Sequence, residues 1–344
     1  MLTLSVLDQS PISSGATAYE AIDNTIRLAQ ATEKMGYYRY WLAEHHGTDG
    51  LAGCAPEILI PRVASATSRM RIGSGGVMLS HYSPLKVAEN FSLLSTMYPG
   101  RIDLGLGRAP GGDRVTSLGM SYGSSVGVEY YPTKVVDLKA FLTGGRLANE
   151  ALAHCRITPN APEAPEIWLL GSSDSSARLA AMLGLPFSFA HFINPYGAQE
   201  ILRIYSESFE PSESLTQPRA NICVGAVCAQ TEEEADHLAK SRMLWRLQLE
   251  KGQLGPYPSP EEAEAYPYTD QERHIAEKAQ RGAVVGTPAD VKSDIKNIAE
   301  ECGVDEVMVV TICHDFESRV KSYRLVAEAF GLNGDVKEGR QPAL

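Results

Sequence analysis

Basic side chains and long apolar runs are both scarce in this chain of 344 residues. Lysine and arginine together number 31 against 42 aspartates and glutamates, which gives a formal net charge of -11. Nucleic acids and anionic membranes bind basic surfaces, so we expect neither as a partner. No apolar run reaches the roughly 18 residues that a membrane-spanning helix requires, and the N-terminus does not resemble a secretory signal peptide.

The cysteines are few and show no pairing pattern. They are Cys54, Cys155, Cys223, Cys228, Cys302 and Cys313. None has the C-x-x-C spacing that is typical of zinc sites and redox-active pairs. We therefore expect reduced, mostly buried cysteines in a cytoplasmic protein.

The apolar residues are numerous enough for a full core, and they are arranged in alternating short and long segments. Hydrophobic residues make up 44% of the chain. Runs typical of buried parallel strands occur at 3–7, 38–43, 72–79, 102–107, 167–170, 186–190, 221–229 and 306–311. Eight strands alternating with helices favour a single (β/α)8 TIM barrel over 1–330, with 331–344 as a polar tail. A doubly wound sheet remains the alternative on this count.

Several helices have readable starts. A helix is predicted over 19–35, with Ile22, Ile26 and Ala29 on its buried stripe. The other predicted helices include 85–97 after Ser83-Pro84, 177–183, one opened by Thr231, one opened by Thr287-Pro288, and 315–330.

Two stretches are too long for simple connections between barrel elements. Residues 108–150 contain a Gly-rich loop and a helix, with a small extra hairpin as an option. Residues 250–285 are rich in proline, tyrosine and acidic side chains. We interpret both as insertions at the mouth, the end of the barrel where the strands reach their carboxyl ends. The second insertion is either a lid or pocket wall, or a solvated irregular segment.

Polar and glycine-rich motifs follow the predicted strands, where TIM barrels carry their active sites. After strand 2 comes Glu44-His45-His46, which suits a base, a metal ligand pair or a polar strand end. Neighbouring residues on a strand face opposite ways, so only one of the two histidines is expected to face the mouth. Together with His81 and His191, one of them could hold a metal, which keeps a metal-dependent barrel hydrolase open.

Strand 3 contains Gly73-Ser74-Gly75-Gly76, an unfavourable composition for a strand interior. Such glycines allow a bulge, an unusual peptide bond or close approach of a ligand to the backbone. Simple close packing is the alternative.

A phosphate site is predicted where strands 4 and 5 end. The run from Gly171 through Ser172, Ser173 and Ser176 precedes a helix, whose free N–H groups and dipole favour an anion. Arg108 would add the N–H donors of its guanidinium group to the same anion. Plain N-capping is the alternative for the serines. Neither a Rossmann fingerprint nor a P-loop is present in the sequence.

These motifs, taken together and in order, resemble those of the bacterial luciferase-like flavin monooxygenases. The matching segments are 41–47, 73–79, 83–89, 98–111, 168–176 and 184–187. The resemblance covers most of 1–330 and is densest in the first 112 residues. It implies a (β/α)8 barrel with FMN, or a deazaflavin in some branches, bound at the mouth. One departure is Gly107, where the light-emitting subunits carry a cysteine, which argues against light emission.

The resemblance also implies roles for particular residues. Arg108, Ser173 and Ser176 would hold the flavin phosphate, helped by the backbone of Gly171 and Ser172. Gly75, Gly76 and Val77 would form the strand-3 part of the cofactor site, which in this family often contains a non-proline cis peptide behind the flavin ring. His45 would lie near the reactive face of the ring, and Asp8 and Ser10 near its edge.

The activity implied is a monooxygenase that uses reduced FMN and O2 to oxidise an apolar small molecule through a C4a-peroxyflavin. His45 would act as a base or hydrogen-bond donor, and residues 250–285 would exclude water. A separate flavin reductase and a homodimer are implied as partners. The alternatives are a flavin or deazaflavin oxidoreductase without oxygen insertion, a non-catalytic flavin-binding protein, and the metal-dependent hydrolase.

Overall fold

The computed structural model describes residues 2–109, 111–122, 124, 126–280 and 282–334. Its strands are β1 (Thr3–Asp8), β2 (Arg39–Leu42), β3 (Arg71–Met78), β4 (Ile102–Gly107), β5 (Glu166–Gly171), β6 (Phe187–Ala190), β7 (Ala220–Cys228), β8 (Ala283–Gly286) and β9 (Glu306–Val310). Its helices are α1 (Ala18–Met35), α2 (Pro56–Ala66), α3 (Pro84–Met97), α4 (Arg114–Ser121), α5 (Tyr131–Thr143), α6 (Asp174–Met182), α7 (Ala198–Glu207), α8 (Glu232–Glu250), α9 (Pro260–Ala265), α10 (Asp270–Gln280), α11 (Pro288–Cys302) and α12 (Phe316–Phe330).

Eight of these strands form a closed parallel barrel. Each strand from β1 to β7 pairs with the next one along the chain, β7 pairs with β9, and β9 returns to β1. Helices connect the strands, so the fold is a TIM barrel and not a doubly wound sheet. β8 is an additional strand that, among the described strands, pairs with the carboxyl half of β7 alone, from Gly225 to Cys228.

The two predicted insertions differ from their expected structure. Among the described residues of 108–150 there is no hairpin; the stretch contains α4, α5 and short 3-10 turns. The stretch 250–285 is not irregular, because α9 and α10 occupy much of it and it ends in β8. β8 was missed because its four residues, Ala-Val-Val-Gly, are too short a run to stand out beside the polar helix before it.

Two apolar layers explain why the strands are hydrophobic on both faces. The larger layer packs the outer face of the barrel against the helices. The smaller one fills the barrel interior, where the Trp41 and Trp168 rings meet edge to face with centroids 5.4 Å apart. No helix among the described residues is both long and apolar enough to cross a membrane.

The buried stripe of α1 is shifted from the predicted one. Ala21, Thr25, Leu28, Ala29 and Thr32 are buried, whereas the predicted Ile22 and Ile26 are only half-buried. The prediction placed the largest aliphatic side chains inward. The helix instead buries Leu28, two alanines and two threonines, and of the three predicted residues Ala29 is buried as expected. The buried Thr32 hydroxyl still has a hydrogen-bond partner, because it donates to the Leu28 carbonyl at 2.9 Å.

An ionic network closes the end of the barrel opposite the mouth. The buried Arg39 guanidinium lies 2.8 Å from both Asp103 and Glu306, and Asp103 also accepts a hydrogen bond from Trp41 at 2.9 Å. Arg71 pairs with Asp103 as well. Because every buried charge here has a partner of opposite sign, the desolvation cost is offset locally.

Two further predictions concern the cysteines and the tail. All six cysteines are free, but only Cys223, Cys228 and Cys313 are buried, so the expectation of mostly buried thiols is half right. In the predicted tail, the Gly334 carbonyl accepts a hydrogen bond from Arg69, which holds 331–334 on the barrel. Residues 335–344 lie outside the described residues.

Candidate active site

A cavity of about 520 Å³ opens at the mouth of the barrel. Its walls come from the segments after β1 and β2, from the carboxyl ends of β7 and β9, from one face of α8, and from the segment between α8 and α9. Residues 250–285 contribute Leu254, Tyr257 and Ala283 to these walls. The second insertion therefore forms part of a pocket wall, which was one of the two interpretations of the sequence.

His45 lines this cavity just beyond the end of β2. Its backbone N–H donates to the Gly53 carbonyl at 2.8 Å, which fixes the main chain. The residue is half-buried, and its buried Nδ1 has no hydrogen-bond partner among the described residues. Burial lowers the pKa of His45 to about 4, with a smaller contribution from His46. The imidazole is therefore neutral at neutral pH and free to accept or donate one proton.

His46 also lines the cavity, so the expectation that only one histidine would face the mouth is wrong. β2 ends at Leu42, and the alternation of strand side chains does not extend to residues 45 and 46. The fully buried Glu44 holds His46 in place, with its Oε1 2.8 Å from His46 Nε2.

Glu44 ties the end of β2 to the end of β3. Its Oε1 accepts from the Tyr82 hydroxyl at 2.7 Å, and its Oε2 accepts from the Met78 N–H at 2.9 Å. Burial and the hydrogen bond to Glu44 raise the pKa of Tyr82, which keeps that side chain a phenol donor. Glu44 is thus a positioning residue for the segment that carries His45.

The glycine pair in β3 forms the predicted bulge. Pairing with β4 shifts register between Ser74 and Val77, and the Gly75–Gly76 peptide bond is cis. A Cβ at Gly75 would lie 2.6 Å from Leu7 Cδ1, and one at Gly76 would lie 2.7 Å from the Gly105 carbonyl oxygen. Both positions therefore require glycine. The Val77 side chain packs into the outer core, so only its backbone is available at this place.

The serine-rich segment after β5 leads directly into α6, which begins at Asp174, earlier than predicted. Ser173 is the N-cap residue, but its side chain makes no capping hydrogen bond. Ser176 Oγ donates to the Ser173 carbonyl at 2.8 Å, and the two hydroxyl oxygens lie 3.2 Å apart. A Cβ at Gly171 would collide with the Ser176 hydroxyl. Plain capping therefore does not account for these serines.

Arg108 stands at the neighbouring strand end. Leu106 of β4 pairs with Leu169 of β5, which places Arg108, two residues further on, beside Gly171. Its side chain is exposed and makes no hydrogen bond or ion pair within the described residues. The carboxyl ends of β4 and β5 thus present an unpaired cation beside an uncapped helix start.

Asp8 and Ser10 are placed differently from what the resemblance implied. Asp8 is fully buried on the helix side of β1, where it accepts hydrogen bonds from Arg319 at 2.8 Å and from Tyr40 at 2.5 Å. Ser10 is also buried, and its hydroxyl accepts from Thr25. Neither lines the cavity, whereas Gln9 between them does. We assign Asp8 to stability and not to cofactor contact.

Asp8→Asn is expected to lower the free energy of unfolding by about 3–5 kcal/mol, because it leaves the buried Arg319 without its counter-charge. Burial alone would raise the pKa of Asp8, but Arg319, Tyr40 and the Ser10 N–H together hold it below its usual value. This stabilisation is fully present above the pKa that Asp8 has in the unfolded chain. It is lost as the pH falls through the lower pKa that Asp8 has in the folded protein. Urea unfolding from pH 7 down to pH 2 measures it.

The exposed Asp236→Asn provides the matched control and should leave stability unchanged within about 0.5 kcal/mol. An Asp8→Asn protein as stable as the unaltered one would remove this role.

Sequence reasoning missed the contribution of α8 to the cavity. Arg242, Trp245, Arg246 and Leu249 all line it. The last three lie three, four and seven residues after Arg242, and this spacing in the sequence already places all four on one helix face. The same spacing also suits a helix face that packs on the core, so by itself it does not predict a pocket wall.

The described residues contain no group of three or more His, Cys, Asp or Glu side chains placed to hold a metal. His191 does not line the cavity with His45 and His46, and its Nδ1 is buried without a partner. Within the described part of the chain, the metal-dependent hydrolase therefore has no ligand set.

A TIM barrel with a cavity at the carboxyl ends of its strands has the architecture of a barrel enzyme. Residues 2–306 match the family described as luciferase-like monooxygenase. A luciferase-like monooxygenase of Escherichia coli K12 is 38% identical over 327 residues, which cover 95% of this chain and 96% of that protein. An N-acetyl-S-alkylcysteine monooxygenase of Bacillus subtilis is 36% identical over 332 residues, covering 96% and 98%. The chain belongs to the luciferase-like monooxygenase family.

Solved structures agree with this assignment. The crystal structure of apo-MsnO8 has a TM-score of 0.89 at 37% identity, covering 97% of this chain and 99% of that one. Two more distant structures share the fold. One is the oxygenating constituent of 3,6-diketocamphane monooxygenase from Pseudomonas putida, in complex with FMN (TM-score 0.71, 19% identity, 96% and 97% covered). The other is an F420-dependent secondary alcohol dehydrogenase with an F420–acetone adduct (0.70, 14%, 95% and 98%).

Proposed function

We propose that this protein is a flavin-dependent monooxygenase that uses reduced FMN and O2 to oxidise a small organic molecule. Family membership indicates a flavin-dependent monooxygenase or oxidoreductase. The observation that carries the finer proposal is the neutral His45, with its Nδ1 buried in a largely apolar cavity, in the segment after β2, the strand that pairs with the bulged β3. Such a site can exclude water and still move one proton.

The residues at the ends of β3, β4 and β5 fit a flavin nucleotide. The uncapped start of α6, with Ser173 and Ser176, suits the phosphate, because helix N-termini have free N–H groups and a favourable dipole. Arg108 would add charge-assisted hydrogen bonds to the same group. Gly75 and Gly76 let β3 pack closely against Leu7 and the Gly105 backbone, which fixes the bulge beside which a flat ring would lie. Reduced FMN, when bound there, would supply the electrons that activate O2.

The chain's own residues would supply positioning, proton transfer and exclusion of water. His45 would hold or remove a proton at the reacting centre, and its low pKa keeps it in the neutral form that can do so. Glu44 keeps this segment in place through His46, Tyr82 and Met78. Leu254 and Tyr257 close one side of the cavity. A separate reductase would supply the reduced flavin.

The proposal is tested by titrating the protein with FMN, reduced FMN and a deazaflavin, and then measuring O2 consumption with a panel of small thioethers and ketones. N-acetyl-S-methylcysteine belongs in the panel because of the substrate named for the Bacillus subtilis relative. We expect micromolar FMN binding and O2 use that depends on one of the organic compounds. Reduction of substrate without O2 use would contradict the monooxygenase, and no binding of any flavin would contradict the whole proposal.

A further inference from the structure

One face of α8 presents two arginines to the cavity. Arg242 and Arg246 are four residues apart and therefore lie on the same side of the helix, with Trp245 between them in the wall. A Cβ at Gly225 would lie 3.9 Å from the guanidinium carbon of Arg242, so the guanidinium lies over the carboxyl half of β7. Both arginines thus line the cavity, and Arg242 does so beside β7.

Neither arginine is neutralised within the described residues. No hydrogen bond or ion pair joins either side chain to them, and the Nε of each is buried without a partner. Among the described residues that line the cavity, the only carboxylate is Asp113, which caps α4 by accepting from the Thr116 N–H at 2.8 Å. By contrast, Arg39 and Arg319 are both buried and paired with carboxylates.

Both arginines are half-buried, and a cation that is partly withdrawn from water without a counter-charge is costly, the more so with a second cation beside it. Burial lowers the pKa of Arg242, and the neighbouring Arg246 lowers it further, whereas Tyr257 acts in the opposite direction. The Tyr257 hydroxyl itself donates to the Ile312 carbonyl at 3.2 Å, so it does not neutralise the pair. An arrangement of this kind is stabilised by an anion that binds from outside the chain.

The remaining walls near these arginines are apolar. They include Leu51, Phe192, Leu249, Val310 and Ile312. A ligand that matches both the apolar walls and the two arginines therefore needs an apolar body and one negatively charged end.

We propose that Arg242 and Arg246 bind the carboxylate of an otherwise apolar substrate. The inference rests on the proposed function for the reaction and narrows the substrate class from an apolar molecule to an amphipathic carboxylate. The planar guanidinium forks suit the two oxygens of a carboxylate. The carboxylate end would be held against α8, and the apolar body would extend into the cavity that His45 also lines.

The test compares octanoate with octanamide, which have the same chain and differ in charge. Binding is followed by calorimetry, with and without saturating FMN, in the unaltered protein and in Arg242→Gln, Arg246→Gln and Arg242→Lys. We expect octanoate to bind at least about tenfold more tightly than octanamide, as one charge-assisted hydrogen bond would give. Either Gln variant should abolish the difference, and Arg242→Lys should keep part of it. Arg62→Gln, at an exposed arginine on α2, should leave it unchanged.

Two results would overturn the proposal. One is equal affinity of the unaltered protein for octanoate and octanamide. The other is a loss of FMN affinity in Arg242→Gln with riboflavin affinity unchanged, since that would assign the pair to the flavin phosphate. Thermal unfolding provides a check on folding, because the Gln variants remove a repulsion between like charges and should melt no lower than the unaltered protein. If octanoate discrimination is found without any flavin binding, the anion site stands and the proposed function fails.

Discussion

His45→Ala is expected to lower turnover by about 10²- to 10⁴-fold, the range for loss of a positioned acid or base. FMN affinity should change by less than about threefold, because the residues that fit the phosphate lie at the ends of β4 and β5 and not on this segment. Single-turnover kinetics with reduced FMN and O2, alongside an FMN titration, measure both quantities. The exposed His154→Ala is the matched control and should retain full activity.

The pH dependence gives this prediction a second readout. The pKa of His45 is lowered to about 4, so its neutral, active form persists from about pH 5 upward. Activity that depends on His45 should therefore show no decline at pH 6.5, where an ordinary histidine becomes charged, and should fall only near pH 4. A His45→Ala enzyme with unchanged turnover would refute the role, and a decline at pH 6.5 that this variant abolishes would refute the neutral imidazole.

Arg108→Ala is expected to weaken FMN binding by about 10- to 150-fold, which corresponds to about 1.5–3 kcal/mol for a hydrogen bond to a charged group. Riboflavin, which has no phosphate, should bind the variant and the unaltered protein equally well. The ratio of the two dissociation constants therefore isolates the phosphate contact. Arg108→Lys should recover part of the loss, because it keeps the charge without the fork.

The exposed Arg62→Ala changes the net charge by the same amount and should leave FMN affinity unchanged. Parallel weakening of FMN and riboflavin in Arg108→Ala would indicate a loss of local structure and not of a phosphate contact. Unchanged FMN affinity would remove Arg108 from the site.

The sequence predicted those parts of the structure that depend on local patterns. All eight barrel strands were recognised, because strands covered on both faces are apolar throughout and are bounded by turn residues. An irregularity at Gly75–Gly76 and a helix after the serine-rich run were expected for the same reason: glycine inside a strand and serine before a helix each have few structural uses, although α6 begins three residues earlier than predicted. TIM-barrel topology then places the ends of these strands together at one mouth.

Features that depend on contacts distant in sequence were not predicted. Asp8 was expected at the cofactor, but its partner Arg319 lies 311 residues further along the chain, and no pattern near Asp8 indicates that pairing. The same reason applies to Arg242 and Arg246. A sequence does not show whether an arginine meets a carboxylate in the fold, and here the described cavity walls give neither of them an acidic partner. The predicted stripe of α1 was partly right, because Ala29 is buried whereas Ile22 and Ile26 are half-buried.

The most direct test of the account is the rate at which hydrogen peroxide is released when reduced FMN, bound to the protein without organic substrate, meets O2. A cavity that shields the reacting centre from water suppresses this side reaction. The account predicts that the protein slows peroxide release relative to free reduced FMN, and that Arg108→Ala returns the rate toward that of free flavin. Identical release with and without the protein would contradict a flavin-dependent monooxygenase.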